Sequence, residues 1–299
     1  MALPTVFTSP RCLEHDAGPG HPESPERLRV LLARLARERA FPVIEAAPAS
    51  LEVVRRVHPD SHLDRLARMA ARGGGILDPD TSMSAASWDA ALGAAGAAVA
   101  AVHHAHGGLG AAFAAVRPPG HHALADRAMG FCLLANVVIA AREAQSLGRA
   151  RILIVDWDVH HGNGTQSLVE QDPSTRFVSL HQWPAYPGTG AATERGVGNI
   201  FNLPRMAGLP PERYVMDLLD GVQLATDRWQ PDLILISAGY DSLIGDPLGG
   251  FTLEPPHFAE LATAVRERCP TSPIVGVLEG GYIPERLADG VLATLGALI

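Results

Sequence analysis

Residues 152–164 read Ile-Leu-Ile-Val-Asp-Trp-Asp-Val-His-His-Gly-Asn-Gly. Four consecutive apolar residues without alternation are the pattern of a strand buried on both faces. The strand, read as Arg151–Val159, runs straight into two aspartates, two histidines and a Gly-Asn-Gly turn. Similar apolar runs recur at Gly110–Val116, Arg176–Leu180, Asn199–Leu203, Asp232–Ser237 and Pro273–Leu278. Helix-like segments lie between several of them: Ser24–Arg39, Ala86–His106, Ala135–Leu147, Pro211–Trp229 and Pro255–Arg268, with Pro284–Leu298 closing the chain. Ser or Pro marks several of their starts. Strands alternating with helices predict the α/β class, a three-layer αβα arrangement with a mostly parallel central sheet. Ligands in such folds bind at the carboxyl ends of the strands. No repeat, low-complexity block or long linker divides the sequence, so residues 1–299 are expected to form a single domain.

Composition narrows the chemistry. All 24 basic residues are arginine, so the chain contains no lysine. A pyridoxal phosphate Schiff base, a lysine-dependent aldolase step and a lysine-based ATP phosphate site are therefore excluded. A positive centre has to be an arginine, a histidinium or a metal. The formal net charge of -8 opposes a phosphate-tracking nucleic-acid binder. Cys12, Cys132 and Cys269 are scattered, which fits neither a disulfide framework nor a thiolate metal site. The first residues, MALPTVFTSPRC, lack a signal-peptide pattern. The uncharged stretch Ala90–Val116 is broken by His-His-Ala-His-Gly-Gly and does not read as a membrane span. A cytoplasmic protein without nucleic-acid or membrane partners is the expectation.

Polar residues concentrate at four strand ends. Residues i and i+2 of a strand point the same way, so Asp158 and His160 can reach one point. A carboxylate and an imidazole so placed make half a site for a divalent metal. A second strand ends in AGYDSLIGDPLGG, residues 238–250, where either Asp241 or Asp246 can supply a third ligand. Three protein ligands would leave a position open for water and substrate. A third strand end carries Arg117-Pro-Pro-Gly-His121-His122-Ala123, followed by Gly130-Phe131-Cys132. Adjacent histidines held in different protonation states can serve as acid and base. A fourth carries Glu279-Gly-Gly-Tyr282. The pair His103-His104 ends an Ala-rich helix and reads as surface, and His15, His58, His62 and His257 read as structural or rim residues.

Taken together, RPPGHHA (117–123), GFC (130–132), DWDVHHGNGT (156–165), SAGYDSLIGDPLGG (237–250) and EGGY (279–282) resemble the histone deacetylase family of the arginase/deacetylase group. HPESPERL (21–28) and YPGTG (186–190) match as well, so the resemblance covers nearly the whole chain. The HPE segment, the Asn of HHGNG and DPLGG place it nearest the class II-like members and their bacterial relatives. The resemblance implies a zinc ion on Asp158, His160 and Asp246. It implies His121 and His122 as the acid/base pair, Tyr282 as donor to the oxyanion, and Asp156 as partner of His121. Asn163 stands where class I members carry a second aspartate, and is expected to orient His122 while leaving it neutral and base-competent. Gly130, Phe131 and Tyr186 would wall an acyl-lysine channel, with Leu253, seven positions after Asp246, at its rim. Asp78 or Asp80 would bind substrate backbone. A structural potassium ion would involve Asp156, Asp158, His160, Ser179 and Leu180.

The implied activity is hydrolysis of acetyl or other acyl groups from lysine side chains or small acylated amines. A homo-oligomer is compatible with the family. One alternative is an acetylpolyamine amidohydrolase, but Leu253 offers no acidic gatekeeper. An arginase-like ureohydrolase would leave the tandem histidines unexplained. A non-catalytic acyl-amide binder would be expected to lack a ligand or the tyrosine, and none is missing.

Overall fold

The computed structural model describes residues 3–299. Ten strands are present among them: β1 (Thr5–Thr8), β2 (Val43–Glu45), β3 (Gly74–Asp78), β4 (Thr81–Ser84), β5 (Ala112–Ala114), β6 (Ile152–Asp156), β7 (Thr175–Gln182), β8 (Ile200–Arg205), β9 (Leu233–Ala238) and β10 (Ile274–Leu278). The helices are α1 (Pro25–Glu38), α2 (Leu51–Val54), α3 (Asp60–Ala71), α4 (Ser87–His106), α5 (Asn136–Ser146), α6 (Asn163–Val169), α7 (Pro211–Thr226), α8 (Pro255–Arg268) and α9 (Pro284–Ala297). Pro opens α1, α7, α8 and α9, where its missing N–H costs no intrahelical bond and its fixed φ suits the first turn.

Eight strands form one sheet in the order β2-β1-β5-β10-β9-β6-β7-β8, and every pairing in it is parallel. Every residue of β6, β9 and β10 is buried. Successive side chains point to opposite faces, so both faces must be covered. Helices α1, α9, α8 and α7 pack against one another in that order, and α4 packs on α5. The α/β class with a mostly parallel sheet is thus the observed architecture. The sequence reading missed β1 and β2, which are short and lie at one edge. It also missed the antiparallel β3–β4 hairpin. No described helix is long and apolar enough to cross a membrane.

His58 staples this framework near the tandem-histidine loop. Its Nδ1 donates to the Ala125 carbonyl at 2.8 Å, and its Nε2 accepts from Ala135 N at 2.9 Å. The second bond needs a neutral ring. Burial pushes His58 down to about 4, below an unfolded value of roughly 6.5. Protonation therefore favours the unfolded chain. The stabilisation is complete above pH ~6.5 and is lost as pH falls toward 4, by up to roughly 3 kcal/mol. Denaturant midpoints between pH 7.5 and 4 should fall less steeply in His58→Gln than in the parent chain. Equal slopes would remove His58 as a cause of acid instability.

Candidate functional site

Strands β5, β10, β9 and β6 stand side by side, and the polar segments following them meet above their carboxyl ends. Pairing of Asp156 with Ser237 sets the last residue of β6 beside β9, so Asp158, His160 and Asp241 come together although 83 residues separate the two aspartates. One ligand-type atom from each lies within 4.8 Å of the others. His160 Nδ1 is 3.2 Å from Asp158 Oδ1 and 3.2 Å from Asp241 Oδ2. Asp158 Oδ2 accepts from Gly280 N at 2.8 Å, and Asp241 Oδ1 accepts from Val159 N at 2.8 Å. Asp241 Oδ2 is buried and has no hydrogen-bond partner. A Cβ on Gly280 would lie 2.2 Å from that atom and 2.6 Å from Asp158 Oδ2, so only glycine permits this approach. Burial and the Asp158 charge push the Asp241 carboxyl up to about 7. An orphaned carboxylate oxygen, a second carboxylate and an imidazole around one point are a donor set that fits a catalytic zinc ion.

Asp246 does not join this cluster. Its Oδ2 accepts from Tyr282 N at 2.7 Å and its Oδ1 from Leu248 N at 3.0 Å. Two backbone N–H groups claim the carboxylate, which holds the tyrosine loop against the 246–250 loop. The expectation that Asp246 stands with Asp158 and His160 is therefore corrected to Asp241. The rim position moves with it. Leu253 is 0% exposed and bridges to Leu243, so it cannot line a channel mouth, whereas Leu248, seven residues after Asp241, is 38% exposed and lines the cavity.

The tandem histidines adjoin the cluster, with ring centroids 4.0 Å apart. His121 Nδ1 is 3.1 Å from Asp156 Oδ2, and His122 Nδ1 is 2.7 Å from Asn163 Oδ1. With oxygen acceptors on both, each Nδ1 carries its proton and each Nε2 keeps a lone pair or takes a second proton. Burial opposes charge on His121, but Asp158 and Asp156 outweigh it and hold the ring well above its ordinary range. For His122, burial and the charges of His121 and His160 act together and hold it well below. The two rings are thus pushed in opposite directions, the arrangement an acid/base couple uses.

A cavity of about 210 Å³ opens onto these groups, lined by Asp80, His122, Gly130, Phe131, His160, Tyr186, Leu248 and Tyr282. Gly130 has φ +56°, and a Cβ there would strike the His122 ring at 2.4 Å. Phe131 also takes a left-handed φ of +68°, which turns its ring edge-to-face onto Tyr282 at 5.9 Å. Tyr186 stands edge-on to His122 at 5.1 Å. Asp80, not Asp78, lies at the cavity. Its Oδ1 accepts from Gly130 N at 3.0 Å and from the Thr81 hydroxyl at 2.7 Å, while Asp78 stays on β3. Burial raises the Tyr282 hydroxyl well above its usual range, so it remains a donor. Beneath the site, Asp156 pairs in register with Ser179, whose hydroxyl meets His181 Nδ1 at 3.0 Å, and buried Leu180 follows.

Two supports carry no role in the sequence reading. Glu23, fully buried, takes Arg117 Nε at 2.8 Å, Arg117 Nη2 at 2.7 Å and Arg27 Nη1 at 2.9 Å. Arg27 then donates to the carbonyls of Gly281 and Glu279 and lies 4.9 Å over the Tyr282 ring. The second is Glu279, which binds the backbone of the tandem-histidine loop. The HPESPERL and EGGY motifs flagged both, but pairings across 94 to 159 residues are invisible to local spacing.

Comparison with known proteins agrees with this geometry. The family description "Histone deacetylase domain" matches residues 21–298. A probable deacetylase of Archaeoglobus fulgidus is 38% identical over 286 residues, covering 91% of this chain and 79% of that protein. The histone deacetylase-like amidohydrolase of Pseudomonas aeruginosa is 35% identical over 306 residues, covering 92% and 80%. The crystal structure of the HDA15 HD domain superposes with a TM-score of 0.94 at 35% identity, covering 99% of this chain and 88% of that one. With four strand ends converging as the motifs require, and a family match spanning almost its full length, this chain belongs to the histone deacetylase family.

Proposed function

We propose that this chain is a zinc-dependent deacylase that hydrolyses acetyl or other acyl amides on lysine side chains or small amines. The observation that carries the reading is the convergence of Asp158, His160 and Asp241 with His122 and Tyr282 around one cavity. Asp158, His160 and Asp241 would hold the metal. When bound, zinc supplies a Lewis acid that acidifies water and polarises the acyl carbonyl.

The chain's own residues do the rest. His122, neutral and oriented by Asn163, takes the proton of the attacking water at Nε2. The Tyr282 hydroxyl donates to the oxygen on which negative charge develops, an oxyanion-hole interaction. His121 stays charged against Asp156 and supports proton return to the leaving amine, through His122 or directly. Phe131, Tyr186 and Gly130 wall the path of an aliphatic stem, and Asp80 at the mouth accepts from substrate backbone. A potassium ion beneath would draw on Asp156, Asp158, His160, Ser179 and Leu180, partly through main-chain oxygens. Residues 1–299 act as one deacetylase domain in the cytoplasm, alone or as a homo-oligomer.

Leu248 favours an acyl-lysine over an acylpolyamine, because its apolar side chain offers no charge to the ammonium groups a polyamine keeps, while Asp80 is already engaged by Gly130 N and the Thr81 hydroxyl. A substrate panel tests this. Acetyl-lysine peptide, a longer-acyl lysine peptide and acetylspermidine should be turned over in the order lysine substrates first. Leu248→Glu should move preference toward the polyamine by roughly tenfold or more, the worth of one well-placed charge pair. The lysine-free chain adds no substrate of its own to the assay. Absence of turnover on every member by zinc-loaded protein would sink the enzymatic reading in favour of a binding protein. Preference of the parent chain for acetylspermidine would sink the lysine assignment.

A further inference from the structure

Glu279 is the first residue beyond β10, and its side chain is fully buried. Its Oε2 accepts from two consecutive backbone N–H groups, Gly120 N at 2.6 Å and His121 N at 3.1 Å. Its Oε1 has no hydrogen-bond partner. The residue is itself held: Arg27 Nη2 donates to its carbonyl oxygen, and Gly280 N is fixed to Asp158 Oδ2 at 2.8 Å. The carboxylate is therefore a rigid post under the loop that carries both histidines. The carbonyls of the loop are tied elsewhere, His121 O to Thr165 N at 3.1 Å and Pro118 O to Asn136 Nδ2 at 3.1 Å, but the N–H groups of Gly120 and His121 have Glu279 as their acceptor. His122 N reaches only the Cys132 sulfur, at 3.4 Å. Gly120 packs tightly against the start of α5, where a Cβ on it would lie 2.5 Å from Asn136 N, so a displacement of the loop has to be away from α5.

We propose that Glu279 is a positioning residue, whose single carboxylate oxygen fixes the Gly120–His121 backbone and so aims His121 at Asp156 and His122 at Asn163. The proposal rests on the acid/base reading of the tandem histidines. Side chains aimed through such an anchor lose rate when it goes, because displacement of a reacting group by about 1 Å can cost on the order of 10²-fold. Loss of comparable outer supports costs ~10–100-fold.

The test compares Glu279→Met and Glu279→Ala, which remove the acceptor, with Glu279→Gln, whose amide oxygen can still accept both N–H groups. In the zinc-loaded protein, the Met and Ala variants should lose ~10–100-fold in kcat, with KM within about twofold and metal content unchanged. Gln should recover most of kcat. Hydrogen exchange of the peptide spanning residues 118–123 should rise about tenfold or more in Met and Ala, and stay near the parent in Gln. Exchange needs no substrate, so it reads the anchor even if the parent turns over no acyl amide; that outcome would defeat the functional reading and leave the anchor standing. Unchanged exchange in Met and Ala overturns the proposal. So does faster exchange with undiminished kcat, a Gln variant as impaired as Met, or failure of both Met and Ala to fold.

Discussion

Asp241→Asn should strip the protein of zinc and of activity, while Asp246→Asn should keep one zinc per chain. The two aspartates sit five residues apart in one loop, but their oxygens are committed differently. Asp241 Oδ2 accepts no hydrogen bond from the backbone and lies 3.2 Å from His160 Nδ1. Replacing this carboxylate by an amide removes the charge a divalent ion needs from a three-ligand set. The loss of affinity should exceed the ~10–100-fold typical of an outer support. Asp246 gives both oxygens to backbone, Tyr282 N and Leu248 N. Asn retains one acceptor and leaves one buried N–H facing an amide NH₂, which costs about 1–3 kcal/mol of stability. Metal content after dialysis, together with denaturant unfolding, distinguishes the two. Stoichiometric zinc in Asp241→Asn, or its loss from Asp246→Asn, would overturn the ligand assignment.

Tyr282→Phe should lower kcat by ~10²–10³ with metal content unchanged. The substitution deletes one hydroxyl and little else. The ring would stay under Arg27 and against Phe131, and the backbone N would stay on Asp246. KM should change much less than kcat, because the donated hydrogen bond strengthens as negative charge develops on the oxygen. Burial keeps the hydroxyl protonated across the working range, so the loss should be similar from pH 6 to 9. A variant with near-parental turnover on an acetyl-lysine peptide would remove Tyr282 from the oxyanion site.

Much of the architecture is legible in the sequence. The apolar runs that became β5 through β10 differ from typical half-exposed strands, because a parallel sheet covered on both faces imposes no alternation. Helix starts were equally local, as at Pro25, Pro211, Pro255 and Pro284. The β1–β2 edge and the β3–β4 hairpin escaped, since runs of three to five residues are too short to show a period.

Within the site, the division follows sequence distance. Asp158 with His160 could be read from the two-residue period of an extended chain, and the tandem histidines from adjacency. A neutral His122 beside Asn163 is an expectation of the sequence; the burial and the charges that push the two rings in opposite directions come from the ends of β5, β6 and β10. The choice between Asp241 and Asp246 needed the fold, because both are carboxylates on the same loop. What separates them is the backbone each one meets: Val159 N and the neighbourhood of Gly280 for one, Tyr282 N and Leu248 N for the other. The choices of Leu248 over Leu253 and Asp80 over Asp78 were decided the same way, by which of two similar side chains the folded loop exposes to the cavity. Glu279 and the Glu23–Arg27–Arg117 network belong wholly to tertiary structure, since a buried carboxylate has a role only once its distant donors arrive. The sequence by itself determined which chemistries the chain could hold, through residue types at strand ends and the absence of lysine. Only the three-dimensional pairing of β5, β10, β9 and β6 decided which oxygen atoms remain free to perform it, because hydrogen bonds from the backbone consume the others.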